Sequence, residues 1–357
     1  MTSGAAPKRI LDLNKRSPEV ATLVEVLNKR IVGQPEAVKV LADIVETYQS
    51  GLCDPNRPAG TALFMGVTGS GKTATVEAAC EALFGDPRAC VKIDAAEYQF
   101  AHEVAKLVGS PAGYLGHRET PALLNQKRLQ AYHTEKLKLG IVLIDEVEKA
   151  SDALWQLMLG ILDKATLTLG DTSVVNFSQS IIVMTSNLGA KDMSRLMMGH
   201  GLGYHPETVT AVSKEKITDI AKNAAIKHFT PEFLNRIDYT VVFNPLTESD
   251  IRQVMCIELG LVQRAMFSVG KFLYQLTNKA KEKIMEEGFS KEYGARNLKR
   301  TIERRVRLPL ARLLASAQIS PGDAVLVDDL GGETFEFSVQ PLCKTEVKFK
   351  DTGDILG

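Results

Sequence analysis

The sequence predicts an α/β fold built on a five-stranded parallel sheet, followed by a smaller, mainly helical unit. Three observations lead there. Five short runs rich in branched residues, at 61–65, 90–94, 140–144, 180–185 and 239–243, alternate with helical patterns, as in a parallel sheet covered by helices on both faces. Most of these runs end in polar residues: a glycine-rich string at 66–73, Asp94, Asp145-Glu146 and Thr185-Ser186-Asn187. In an open α/β sheet such ends gather at the carboxyl edge, where ligands bind. Beyond Pro245 the strand signals give way to helical spacing over 248–268, 278–287 and 297–317.

Taken in order, residues 1–17 read as a flexible arm. Val20, Leu23, Val24 and Leu27 are spaced for one face of a helix over 18–29. The string Arg30-Ile31-Val32-Gly33-Gln34-Pro35 breaks it, and a second helix runs over 36–48. Pro55, Pro58 and two glycines make 51–60 a loop. The alternating strands and helices then fill a large α/β subdomain, 18–244. In the small subdomain, 245–330, Pro309 is expected to kink the last helix. Ser320-Pro321-Gly322-Asp323 is a turn before a strand at 324–327, and a tail, 331–357, starts at Gly331-Gly332.

Composition narrows the function classes. The 357 residues are 45% hydrophobic and 24% charged, which is ordinary for a globular protein. Lys+Arg and Asp+Glu balance at 43 each. A chain with no net charge has no global field to hold nucleic acid or an anionic membrane. Its five cysteines are scattered with no C-x-x-C pair, which suits free thiols in a reducing compartment. No apolar run is long enough to span a bilayer, and the first residues have no signal-peptide core. A cytoplasmic protein is the expectation.

The chemistry starts at Gly66-Val67-Thr68-Gly69-Ser70-Gly71-Lys72-Thr73, which fits G-x-x-x-x-G-K-[ST] at every fixed position and lies between a strand and a helix. Glycines let the backbone fold tightly, so its N–H groups point inward at phosphate oxygens. The helix N-terminus adds the positive end of its dipole. Lys72 would reach the β- and γ-phosphates, and Thr73 would offer a hydroxyl to Mg²⁺. The apolar strand Ile141-Val142-Leu143-Ile144 then delivers Asp145 and Glu146. Asp145 is expected to hold Mg²⁺ through water and Glu146 to deprotonate the attacking water. Phosphoryl transfer needs both a metal and a group that places the nucleophile.

With these residues placed, the chain resembles the AAA+ ATPases of the Clp type, and in particular the second ATPase domain of the ClpB, ClpA and ClpC unfoldases. The resemblance covers about 27–327. It rests on Lys29-Arg30-Ile31-Val32-Gly33-Gln34, Leu63-Phe64-Met65-Gly66, Asp145-Glu146-Val147-Glu148-Lys149-Ala150, Met184-Thr185-Ser186-Asn187-Leu188-Gly189, Pro231-Glu232-Phe233-Leu234-Asn235-Arg236-Ile237-Asp238 and Tyr293-Gly294-Ala295-Arg296. It implies the αβα sandwich of that family with a helical lid, and ATP with Mg²⁺ as cofactors. It also implies residue roles. Ile31 and Val32 would line the adenine pocket, and Asn187 would help place the attacking water. Arg236 would reach the γ-phosphate of a neighbouring subunit, and Arg296 would contact phosphate in its own subunit. Their chemistry suits these roles, since an amide both donates and accepts and a guanidinium stays charged. A finger supplied in trans implies assembly, and the resemblance implies that the assembly is a closed homohexameric ring.

Gly113-Tyr114-Leu115-Gly116 resembles the family's pore loop, in which an aromatic side chain grips an extended polypeptide. Leucine stands here where valine is usual. The expected second pore contact, within 163–176, lacks the family's arginine. Leu202-Gly203-Tyr204 resembles the tripeptide by which some unfoldases dock on the ClpP peptidase, with Tyr in place of Phe. No first ATPase domain or middle domain fits within residues 1–30, so the sequence reads as a single-ring machine. The expected function is ATP-dependent unfolding of protein substrates threaded through a central pore. Two alternatives stay open: a loader acting on nucleic acid, for which Lys299, Arg300, Arg304, Arg305, Arg307 and Arg312 form a basic helix, and a module that uses ATP only to assemble.

Overall fold

The computed structural model describes residues 12, 15–109, 122–197, 214–290, 294–332 and 334–340. The chain divides into two compact units between Pro245 and Leu246.

In the first unit, α1 (Pro18–Arg30) and α2 (Pro35–Gln49) precede β1 (Gly60–Met65), α3 (Lys72–Phe84) and β2 (Val91–Asp94). Two single-turn helices, α4 (Ala105–Val108) and α5 (Gln126–Leu129), lead to β3 (Gly140–Asp145) and α6 (Asp152–Lys164). A small hairpin, β4 (Thr166–Thr168) and β5 (Val174–Asn176), separates α6 from β6 (Ser180–Ser186). Then come α7 (Ala190–Met197), α8 (Lys214–His228), α9 (Pro231–Asn235) and β7 (Tyr239–Val242). The five expected strands form one parallel sheet in the order β2-β3-β6-β1-β7.

Alternation along each strand explains why the central strands are apolar throughout. Leu63 and Met65 of β1, Val142 and Ile144 of β3, and Ile182 and Met184 of β6 belong to one core, shared with Leu154, Met158 and Ile161 of α6. Ala62 and Phe64, Ile141 and Leu143, and Ile181 and Val183 point the other way, into a core built with α1, α2 and α3. A side chain on each face of each residue pair leaves no room for a polar interior, so the polar groups fall at the strand ends.

The second unit holds α10 (Glu248–Gly270), β8 (Leu273–Leu276), α11 (Asn278–Gly288), α12 (Ala295–Ile302), α13 (Leu308–Ala315), β9 (Ala324–Asp328) and β10 (Glu336–Gln340). It contains more strand than its sequence suggests: β10, β9 and β8 form a three-stranded sheet. Residues 336–340, grouped with the tail by sequence, pair antiparallel with β9. The kink expected at Pro309 takes the form of a π-helical turn, Glu303–Arg307, between α12 and α13. A proline has no N–H to donate and its ring crowds the carbonyl four residues back, so the ladder is displaced there. Ile251, Met255, Ile284, Leu298, Val306 and Val327 are among the side chains of this unit's own core.

Candidate functional site

The carboxyl edge of the five-stranded sheet brings together most of the expected site. β1 ends in the phosphate loop. Gly66 has φ 151° and donates its N–H to Ser186 O at 3.3 Å. A Cβ at Gly66 would lie 2.9 Å from Phe243 Cβ, so only glycine fits between β1 and the end of β7. Gly71, just before α3, has φ 104° with open space where a Cβ would go. Its glycine is required by the backbone and not by crowding. Gly69 is also left-handed, at φ 78°. The backbone N–H groups of Gly69, Gly71 and Thr73 find no backbone acceptor among the described residues. Ser70 is buried, and its hydroxyl has no hydrogen-bond partner there. Donors clustered at a helix N-terminus form a cradle for an anion.

Lys72 is 7% exposed. Its ammonium donates to Gly66 O at 2.9 Å, Val67 O at 3.0 Å and Asn187 Oδ1 at 3.0 Å. The Asn187 amide in turn donates to Glu146 Oε1 at 3.3 Å. One asparagine therefore links the loop lysine to the expected general base. Its own N–H donates to Glu148 Oε1 at 3.0 Å, which fixes the start of the loop after β6.

Thr73 Oγ1 lies 3.3 and 3.4 Å from the two carboxylate oxygens of Asp145. The site thus offers a hydroxyl and a carboxylate side by side. That hard-oxygen set suits Mg²⁺, which takes one or two protein oxygens and completes its shell with water and substrate phosphates. Among the described residues no group of three or more His, Cys, Asp or Glu could hold a metal by itself.

Several residues at this edge were not assigned roles from sequence. Thr185 donates its hydroxyl to Asp145 Oδ1 and accepts the Glu146 N–H at 3.1 Å. This pairing accompanies a left-handed backbone at Glu146, φ 56° and ψ 47°. Lys149 pairs with Glu146 Oε2, and the hydrogen bond holds the lysine's pKa above its ordinary value. Lys92 on β2 lies 3.5 Å from Asp145 Oδ2. Gln34 is 3% exposed and donates to Ser70 O at 3.2 Å and Asn244 O at 2.8 Å. It ties the break carrying Ile31 and Val32 to the phosphate loop. Ile31 and Val32 are themselves half-buried. Gln34 and Thr185 lie within strings that carry the family resemblance, but their partners are tens of residues away.

Arg236 is elsewhere. It caps the C-terminus of α9, and its carbonyl accepts from Thr61 Oγ1 at 3.2 Å and Arg57 Nη2 at 3.0 Å. Asp238 fastens the same segment to β1 by accepting the Thr61 N–H at 2.9 Å. Arg236 is thus held near the amino end of β1, whereas the phosphate loop follows its carboxyl end. The strand between Thr61 and Gly66 spans about 17 Å. Arg296 is exposed near the start of α12 in the second unit. The expected pore loop, Gly113, Tyr114, Leu115 and Gly116, lies outside the described residues. So do Tyr293 and Leu202-Gly203-Tyr204.

A glycine-rich loop between strand and helix, with its lysine, a Thr–Asp pair and an adjacent Glu–Asn pair on one sheet edge, defines a phosphate-loop nucleoside triphosphatase site. Comparison with known proteins makes this specific. Residues 57–240 match the AAA domain (Cdc48 subfamily), and residues 246–327 match the C-terminal, D2-small domain of ClpB protein. The chain belongs to the Clp-type AAA+ ATPases. It is 36% identical over 320 residues to the chaperone protein ClpB of Rhodopirellula baltica, covering 90% of this chain and 34% of that protein. It is 38% identical over 309 residues to ClpB of Bacteroides thetaiotaomicron, covering 87% and 34%. A cryo-EM reconstruction of Hsp104 with ATPγS and FITC casein, in its closed state, superposes with a TM-score of 0.73 at 31% identity, covering 89% of this chain and 52% of that one. The chain thus spans about a third of the length of the curated relatives it matches.

Proposed function

We propose that the chain hydrolyses ATP at an interface between subunits of a ring, and that hydrolysis drives the remodelling of protein substrates. The observation that carries this is a division within the first unit. Lys72, Thr73, Asp145, Glu146 and Asn187 form one hydrogen-bonded group, joined through Thr185, at the carboxyl edge of the sheet. Arg236 is anchored toward the other end of β1. A site with its lysine and base on one edge and its arginine on the other is completed by a second copy of the chain.

In this reading the loop N–H groups and Lys72 bind the phosphates, and Ile31 and Val32 border the adenine. Thr73 and Asp145 would hold Mg²⁺, which would supply positive charge beside the phosphate oxygens. Glu146 accepts a proton from the attacking water while Asn187 orients it. In the structure the Lys72 ammonium is engaged by two loop carbonyls and Asn187. Binding of a triphosphate offers Lys72 stronger, charged acceptors. That exchange frees Asn187 Oδ1 for water. Arg236 of a neighbouring subunit stabilises the transferring phosphoryl group, and Arg296 contacts phosphate within its own subunit.

Support for a protein substrate comes from the relatives: those named are chaperones, and the Hsp104 reconstruction holds casein. On this reading Tyr114 grips the threaded chain, and a homohexamer is the working form. A peptidase partner docking through Leu202-Gly203-Tyr204 remains part of the same proposal. The nucleic-acid alternative is weakened by local pairing of the basic helix. Arg304 and Arg305 bond Glu287, Arg307 pairs with Glu303, and Lys299 with Glu258. Charges neutralised in this way contribute little to phosphate binding.

Changing Tyr114 to Ala tests the protein-substrate reading. ATP turnover should persist while unfolding of a tagged folded protein is lost. Unfolding at the unmodified rate, or ATP turnover stimulated by DNA and not by protein, would overturn it.

A further inference from the structure

The side chain of Arg236 is paired with the carboxylate of Asp163. Nothing in the spacing of the two residues, 73 positions apart, announces this contact. Both side chains are partly exposed, 39% for the arginine and 37% for the aspartate. Asp163 lies in the last turn of α6, where a negative charge opposes the helix dipole. Helix stability therefore gives no reason for an acid at this position, and the guanidinium beside it does.

The support on both sides is rigid. Arg236's backbone is fastened to Arg57 and Thr61, so its side chain is the part left to be aimed. α6 buries Leu154, Met158, Ile161 and Leu162 in the first core. Near its other end, Trp155 Nε1 donates to Val147 O at 3.2 Å, one residue from Glu146. Trp155 also packs edge-on to His228, centroids 5.4 Å apart, and His228 Nε2 lies 3.1 Å from Glu148 O. One helix thus touches the turn after the general base and carries the acid that grips the arginine.

We propose that Asp163 is a positioning residue for Arg236. It holds Nη1, the one guanidinium nitrogen engaged among the described residues, and leaves another edge of the fork to meet a neighbour's terminal phosphate. A planar guanidinium fixed along one edge can present the other in a defined direction. An unfixed arginine on a partly exposed surface spreads over many rotamers. Asp163 acts only through Arg236 and touches no reacting atom. The proposal rests on the reading that Arg236 serves an adjacent subunit.

Mixed-ring kinetics on the full chain test it. Asp163→Ala and Asp163→Asn should each lower ATP turnover about tenfold or more, the scale of a lost supporting contact, while nucleotide affinity stays within about twofold, as for an interaction made mainly in the transition state. Asp163→Glu should restore part of the turnover. Glu146→Gln rings should be inactive. Mixing Asp163→Asn with Glu146→Gln subunits before assembly should recover activity, because Glu146→Gln subunits carry a correctly held arginine. For random mixing in a ring, about a quarter of sites would then combine an intact base with an intact neighbour.

An Arg236→Ala and Glu146→Gln mixture is the companion measurement. If it recovers and the Asp163→Asn mixture does too, the positioning role stands. If it recovers while the Asp163→Asn mixture shows no more than the average turnover of its two parent rings, or if Asp163→Asn rings turn over at the unmodified rate, the positioning role is overturned and the trans arginine survives. If the Arg236→Ala mixture fails to recover, the trans reading itself falls. Far-ultraviolet circular dichroism of each variant keeps a folding defect from passing as misplacement, and the near-isosteric asparagine gives the reading if alanine unfolds.

Discussion

Glu146 adopts a left-handed backbone, an uncommon state for a residue with a Cβ. Its N–H reaches Thr185 Oγ1, and the same hydroxyl donates to Asp145. One threonine therefore holds the Asp145 carboxylate and the Glu146 backbone. Replacing it with valine keeps the shape of the β6 end but removes both bonds. Thr185→Val should lower kcat about ten- to a hundredfold with a small change in KM, measured by steady-state ATP turnover. A kcat per folded molecule equal to that of the unmodified protein, with the whole loss accounted for by a smaller folded fraction in circular dichroism, would show that the threonine serves folding alone. Glu146→Gln should lose about 10²–10⁴-fold in turnover, the share of a general base, and retain ATP in an equilibrium binding assay. Asp145, Glu146, Lys72 and Thr73 were readable in the sequence because their spacing is local and chemically constrained. Thr185, Gln34 and Lys92 were not. Thr185 and Lys92 act across neighbouring strands and Gln34 across two loops, and such partners are invisible until the sheet is assembled.

The parallel sheet was legible element by element. Its strands are buried on both faces, so they appear as continuous apolar runs. The hairpin β4–β5 was missed because its strands are only three residues long, with one buried residue each. β8 was missed for a similar reason: only Leu276 of its four residues is buried. The basic run in the second unit was visible, but its purpose there is local. Glu287 accepts from Arg305 Nε at 3.0 Å and from Arg304 at 2.9 Å, and these bonds hold its carboxyl below the usual range. A depressed pKa contributes stability that is present above the unfolded value, near 4.3, and is lost as pH falls through the folded value. Glu287→Gln should therefore cost about 1–3 kcal/mol at neutral pH and flatten the loss of stability below about pH 4. Denaturant melts from pH 3 to 7 check this, and parallel acid limbs for the two proteins would contradict it.

At the scale of the molecule, the two units each have their own core. The matches to an AAA domain and a D2-small domain meet the same division. No helix among the described residues is long and apolar enough to cross a membrane. What the sequence could suggest only through resemblance is the proposed completion of the site by a second copy. A single chain places its lysine and base at one end of β1 and its arginine toward the other, farther apart than the length of an arginine side chain. The ATP turnover rate per chain, measured across protein concentrations that span ring assembly and read beside sedimentation velocity, tests this most directly. Turnover should rise steeply with the assembled fraction and vanish in Arg236→Ala at every concentration. A monomer that hydrolyses ATP at the full rate would contradict it.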